Sequence, residues 1–156
     1  MENKNISFNI GKDKFNFRVA ALIKHKNKIL LEFSWDFWNM PGGRVQMGES
    51  TLDALKREML EEMNLVVEDC ELVQVYENFF DWLGDNQHEL LFVYKIELDE
   101  NSELLKKDDF KCSDSDEITF KWHDAKDVKN LKCLPECIYD LAVNDYKTIQ
   151  HSINVE

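Results

Sequence analysis

Residues 57–64 read REMLEEMN. On a helix, Glu58 and Glu62 lie one turn apart on the same side, and like charges so placed cost about 0.2–0.5 kcal/mol. Glu61 adds a third carboxylate, and Arg57 a single cation beside them. Carboxylates in this arrangement are the oxygen donors that a hard divalent cation such as magnesium takes, together with waters and substrate phosphates. Upstream stand Gly43, where the missing side chain lets the backbone approach a ligand, and Glu49, a further acid.

The surrounding sequence supplies elements to hold these groups. Ser50 or Thr51 can cap a helix that runs to about Met63. Leu52, Leu55, Met59 and Met63 fall on one stripe of it, and Glu58, Glu61 and Glu62 on the adjacent arc. The stripe predicts packing on a sheet, with the carboxylates at the edge of the contact. Before the helix, Pro41, Gly42, Gly43 and Gly48 predict a loop without regular structure. Two strands precede it, around residues 15–24 and 28–33, joined by the polar turn at residues 25–27. ELVQVYENFF, HELLFVYKIEL and EITFKWH read as three further strands. Residues 99–117 read as an acidic surface loop with one helical turn, and a closing amphipathic helix starts at Pro135. Two helices on a mixed sheet define an α/β or α+β sandwich.

Taken as one segment, GGRVQMGESTLDALKREMLEEMNL runs Gly43, five residues, Glu49, seven residues, then Arg57-Glu58-Met59-Leu60-Glu61-Glu62-Met63-Asn64-Leu65. This resembles the Nudix box, G-x5-E-x7-R-E-U-x-E-E-x-G-U with U a bulky apolar residue. The final glycine is replaced by Asn64, the residue next most tolerant of the left-handed conformation at a helix end. The order of elements over most of the chain is similar to the Nudix fold as well, a mixed β-sheet sandwiched between α-helices, here as a single domain over residues 1–156. The resemblance implies a metal-dependent pyrophosphohydrolase, with magnesium or manganese, that cleaves a nucleoside diphosphate linked to another moiety. It implies metal ligation by Glu58, Glu62 and the Gly43 carbonyl, with Glu61 as a further ligand or the general base. It also implies pairing of Arg57 with Glu49, to orient the loop against the helix.

Outside the box, Arg18 interrupts an apolar strand and Arg44 follows the glycines; both are candidates for substrate phosphate. Trp35, Phe37 and Trp38 precede the glycine loop and can stack on a base or pack as core. Glu89 and Glu117 are the candidates for one more acid from outside the box, with Glu77 a weaker one; His88 opens the same strand as Glu89.

Composition narrows the partners. Lysine and arginine number 19 against 31 aspartates and glutamates, a net charge of −12, which disfavours a nucleic-acid polymer and an anionic membrane alike. The resemblance implies a small-molecule nucleotide as the partner. The first residues show no signal-peptide pattern and no run of about 18 apolar residues follows, so a cytoplasmic location is expected. Cys70, Cys112, Cys133 and Cys137 lack CxxC spacing and read as reduced structural thiols. Alternatives within the resemblance are an ADP-ribose or nucleotide-sugar hydrolase and a non-catalytic nucleotide-sensing module. Residues 1–14 offer little for extra dimerisation strands, and a homodimer is left open.

Overall fold

The structure, a computed structural model, describes residues 2–156. Ten strands and two helices follow in the order β1 (Ser7–Ile10), β2 (Asp13–His25), β3 (Lys28–Ser34), β4 (Phe37–Asn39), β5 (Gly42–Arg44), α1 (Thr51–Met63), β6 (Asp69–Trp82), β7 (Asp85–Glu97), β8 (Asp109–Cys112), β9 (Ser115–Asp124), α2 (Cys137–Val143) and β10 (Gln150–Val155). They join in one mixed sheet of order β10-β6-β7-β2-β3-β9-β8, with β1 and β5 also on β2 and β4 on β3. The long pairs β6–β7 and β3–β9 are antiparallel, whereas β2–β7 and β10–β6 are parallel.

Strand β2 divides the core in two because consecutive side chains of a strand point to opposite faces. Val19, Ala21 and Ile23 pack with Ala54, Leu55, Met59 and Met63 of α1. Ala20 and Leu22 pack with Ile138, Leu141 and Ala142 of α2. A helix therefore covers each face, as the sequence predicts. No helix among the described residues is long and apolar enough to cross a membrane.

Four local readings change. Gly42–Arg44 is not loop but strand β5, paired antiparallel with β2 through Arg18↔Arg44, Val19↔Gly43 and Ala20↔Gly42. Residues 99–117 hold a 3-10 turn at Glu103–Lys106, all of β8 and the start of β9, because β8 is completed by its pairing with β9 rather than by its own polar sequence. The last helix begins at Cys137, not Pro135. Near the two termini, where the sequence reading placed no strand, Ser7–Ile10 forms a hairpin with β2 and the last residues add β10 on β6.

Candidate active site

The site grows from a gap in the sheet. Strands β2 and β3 pair only next to their turn, at Lys24↔Ile29 and His25↔Lys28, and then part. Beyond that point β5 lies against β2, and α1 passes over it. This end of the molecule collects the N-terminal half of β2, the C-terminal end of β3, β5, and the start of β7.

Helix α1 is set by its ends. The Ser50 side chain accepts the Asp53 amide at 3.0 Å, as an N-cap should. At the other end Asn64 takes the left-handed conformation (φ 54, ψ 35), and its N–H returns to the Leu60 carbonyl. Between these ends Ala54, Leu55, Met59 and Met63 are buried, Leu52 is only half-buried, and Glu62 is buried with them. The carboxylates therefore do not all stand at the edge of the contact. Glu62 enters the protein because it lies beside Met59 and Met63 on the covered face.

Arg57 organises the box. Its Nε and Nη2 donate to the two oxygens of Glu49 at 2.7 and 3.0 Å, a bidentate pair, while Nη2 also donates to the Arg44 carbonyl at 3.0 Å. Its Nη1 reaches Glu58 at 2.9 Å and Glu61 at 3.4 Å. Glu49 in turn accepts the Gln46 amide at 2.8 Å. One guanidinium thus ties β5, the following loop and the helix together. The hydrogen bonds from Arg57 hold the Glu49 carboxyl below its usual pKa, and those same contacts raise the arginine's own against its burial. A Cβ at position 43 would meet the Glu58 carboxylate and force it to shift.

Four acids converge near Arg18. Glu89 lies 3.5 Å from its guanidinium, and only 5% of that glutamate is exposed. Glu32 and Glu62 are each 6% exposed, and each leaves its Oε2 without a hydrogen-bond partner. Burial pushes Glu62 up to about 10, reinforced by the charges of Glu32, Glu58 and Asp114. Burial likewise raises Glu32 to about 8 despite Arg18, and Glu58 is raised for the same first reason. Burial disfavours the charge on Arg18, yet Glu89, Glu32 and Glu62 outweigh it and raise its pKa. Arg44 stands next to Arg18 in the β2–β5 register, and its pKa falls through burial and that neighbouring cation.

This donor set fits a divalent cation. The groups are hard oxygen donors, and two of their buried oxygens lack any partner. Among the described residues no three His, Cys, Asp or Glu side chains already converge as a ligand set, since Arg57 draws Glu58 and Glu61 toward itself.

The structure brings Gly43, Glu49, Arg57, Glu58, Glu62, Arg18, Arg44 and Glu89 together. Glu61 sits on the more exposed side of the helix. Glu117 is exposed on β9 and stands outside the cluster. Glu77 bonds His151 of β10 at 2.6 Å, and His88 stacks on Phe79 with ring centroids 4.4 Å apart. Trp38 packs between Phe33 and His123, at 4.9 and 4.2 Å, which gives its ring structural neighbours. Sequence reading missed Glu32. A single acid within the apolar run KILLEF was the available signal, of the kind that marked Arg18. The surface depressions of about 480 and 520 Å³ lie elsewhere, around the β2–β3 turn and Asp124.

A mixed sheet with one helix on each face, and an acid-rich loop–helix held by an arginine fork, define a Nudix-type α+β protein. The sequence profile of the NUDIX domain matches residues 15–141, and the chain belongs to that family. It is 28% identical over 99 residues to the uncharacterized Nudix hydrolase YvcI of Bacillus subtilis (strain 168), a match spanning 64% of this chain and 58% of that protein. Its fold is similar to the crystal structure of a mutator MutT protein from Bacillus halodurans, with TM-score 0.68, 19% identity and 90% of each chain covered. An ADP-ribose pyrophosphatase from Streptococcus suis 89-1591 superposes with TM-score 0.54 at 18% identity, over 89% of this chain and 98% of that one.

Proposed function

We propose that the chain, as one domain over residues 1–156, is a divalent-metal-dependent pyrophosphohydrolase of small nucleotides. The observation that carries this reading is the pair of buried carboxylates, Glu32 and Glu62, with unpartnered oxygens beside the box acids. A buried carboxyl without a hydrogen-bond partner is costly, and a divalent cation taking the place of its proton would satisfy it.

Glu58, Glu62 and the Gly43 carbonyl would hold magnesium or manganese, with Glu61 and Glu32 at its margin. The bound cation would neutralise phosphate charge and acidify water. Arg57 and Glu49 position rather than react, because their fork keeps β5 and α1 in fixed relation. Arg18 and Arg44 present two neighbouring guanidiniums to the phosphates. Glu89 holds Arg18 in place and, with Glu61, is a candidate to accept the proton of the attacking water. The oxygen–phosphorus bond to the attacking water forms as the anhydride bond breaks, and the released phosphate leaves with the bridging oxygen's electrons.

The test is product release from nucleoside triphosphates, dinucleotides and nucleotide sugars, ADP-ribose included, with magnesium, manganese or chelator. Turnover that needs metal and disappears in Glu62→Gln supports the reading. Wild-type protein whose melting temperature does not respond to either cation, and which turns over nothing, overturns it.

A further inference from the structure

Helix α1 covers one face of the sheet only in part. Val19, Ala21 and Ile23 pack beneath it, but beyond Phe17 the same face continues as a row that belongs to neither core cluster. Strand register sets Phe8 beside Phe15, Phe15 beside His88, His88 beside Phe79, and Phe79 beside Val155. The row thus crosses β1, β2, β7, β6 and β10 without a break. Paired side chains point the same way, as do residues two apart, so Ile10, Leu90 and Ile153 flank the row on that face. The rings bear this out. Centroids lie 5.3 Å apart for Phe8 and Phe15, 5.2 Å for Phe15 and His88, and 4.4 Å for His88 and Phe79.

The row is apolar at its centre and polar at its margins. Asp13, Asn86 and Asp81 stand in the adjoining register on one side, and Glu77 on the other is engaged by His151 at 2.6 Å. Phe8, Ile10, Ile153 and Val155 are between 52% and 72% exposed. Apolar side chains of this size leave about 500 Å² in water from those four alone. The half-buried Phe15, Phe79 and Leu90, with His88, bring the patch to about 700 Å², more than a monomer's surface ordinarily carries and close to one partner's share of a standard interface.

We propose that this face packs on the same face of a second copy of the chain, sheet on sheet, about a two-fold axis running along β7 at His88. Such an axis lays Phe8 of one copy over Val155 of the other, and Phe15 over Phe79, so both ends of the row meet apolar partners. The charge of the chain favours this occupant. A net charge of −12 works against an anionic membrane or a nucleic acid, and two such chains associate only where each shows the other an uncharged surface. Side chains alternate along β2 and β7, so Arg18 and Glu89 point to the other side of the sheet and both candidate active sites stay open. The inference is therefore independent of the hydrolase reading.

Sedimentation velocity of the full chain across micromolar concentrations tests it. The expected mass is twice the 18.5 kDa of one chain. Phe8→Glu and Val155→Glu should each weaken association about tenfold or more, since each lays a charge against an apolar side chain. Phe8→Lys combined with Val155→Glu should recover it, because opposite charges then meet across the axis twice. Four strand spacings, about 19 Å, separate the two positions within one chain, so that pair cannot form internally. Val66→Glu, as exposed as Val155 but in the connection from α1 to β6, should leave the mass unchanged. Unchanged far-ultraviolet circular dichroism checks that each variant folds. A mass of one chain at every concentration overturns the proposal, as does a dimer that persists in both glutamate variants. Failure of the lysine–glutamate pair to recover association overturns the two-fold arrangement. A single-chain mass together with Phe8-dependent binding to phosphatidylcholine vesicles overturns self-association and assigns the face to a bilayer.

Discussion

The two ends of the molecule that β2 links each hold a partly buried cation, Lys24 beside the turn and Arg18 at mid-strand, and they treat it differently. Near the β2–β3 turn, Lys24 has a side chain only 11% exposed, and its ammonium donates to Leu141 O at 3.1 Å, Asn144 O at 3.4 Å and Asp145 Oδ1 at 3.0 Å. Its three donors meet three acceptors, which ties the C-terminal end of α2 to the sheet. At the other end Arg18 has Glu89 at 3.5 Å, while Glu32 and Glu62 nearby keep bare oxygens. One end is a closed account of hydrogen bonds. The other gathers more carboxylates than its neighbours satisfy, and burial keeps protons on Glu62 and Glu32. A satisfied buried charge marks architecture, and an unsatisfied cluster marks a place where something binds.

This contrast can be broken by substitution. Glu62→Gln should lower turnover by about 100-fold or more, as removal of a cation ligand does, without lowering the melting temperature of the metal-free protein. Steady-state kinetics and thermal unfolding on the same preparation check both halves. If Glu62→Gln destabilised the apo protein strongly, the acid end would be architecture as well. Gly43→Ala should cost roughly tenfold to 100-fold in activity, because the new methyl displaces the Glu58 carboxylate from its seat on β5.

Lys24→Met should do the opposite. Unpairing the last carbonyls of α2 costs about 2 kcal/mol, or roughly 4–8 °C in melting temperature, with kcat unchanged. A change in kcat without loss of stability would erase the distinction between the two ends.

The pH response separates the ends further. Glu62 and Glu32 have folded-state values of about 10 and about 8 against an ordinary 4.5. The folded state therefore binds more protons than the unfolded chain between those limits. Their contribution to stability is fully present below about pH 4.5 and is lost as pH rises through about 8 to 10. The metal-free protein should melt several degrees lower at pH 8.5 than at pH 6, on the order of 3 °C or more. Millimolar magnesium or manganese should restore the difference, since the cation replaces the protons. An apo melting temperature that is flat or rising over this range would contradict the proton-holding carboxyls at the Arg18 end. The smallest effect concerns neither end. Asn64→Gly should raise the melting temperature by about 2 °C, because glycine adopts φ 54 without the side-chain cost, and activity should not move.

The box helix was legible in detail because its signals are local. Its N-cap, its apolar spacing and its left-handed end all lie between residues 50 and 64. Arg57 and Glu49 were legible as partners through the resemblance, and their 2.7 Å contact bears this out. Strand β8 and strand β10 were not legible, because each is short and polar; β8 is completed by the hairpin it forms with β9, and β10 by β6 far back in the chain. Glu32 escaped for a related reason. Nothing adjacent to it in sequence distinguishes a solvent-facing acid from one placed next to Arg18, fourteen residues back on a strand with which it does not pair.

By itself, then, the sequence determined which residues could do chemistry, and the helix that carries three of them, since propensity, capping and spacing act within a few residues. It also determined a sheet covered on both faces, since each strand's pattern records what it must bury. Only the tertiary structure decided that Glu62 is buried and bare, that Glu32 joins it, and that Glu117 stands apart. It also decided that Trp82 comes to Trp35 and Phe37 across two turns. Burial and convergence depend on where distant strands part and meet, and no local spacing encodes that distance.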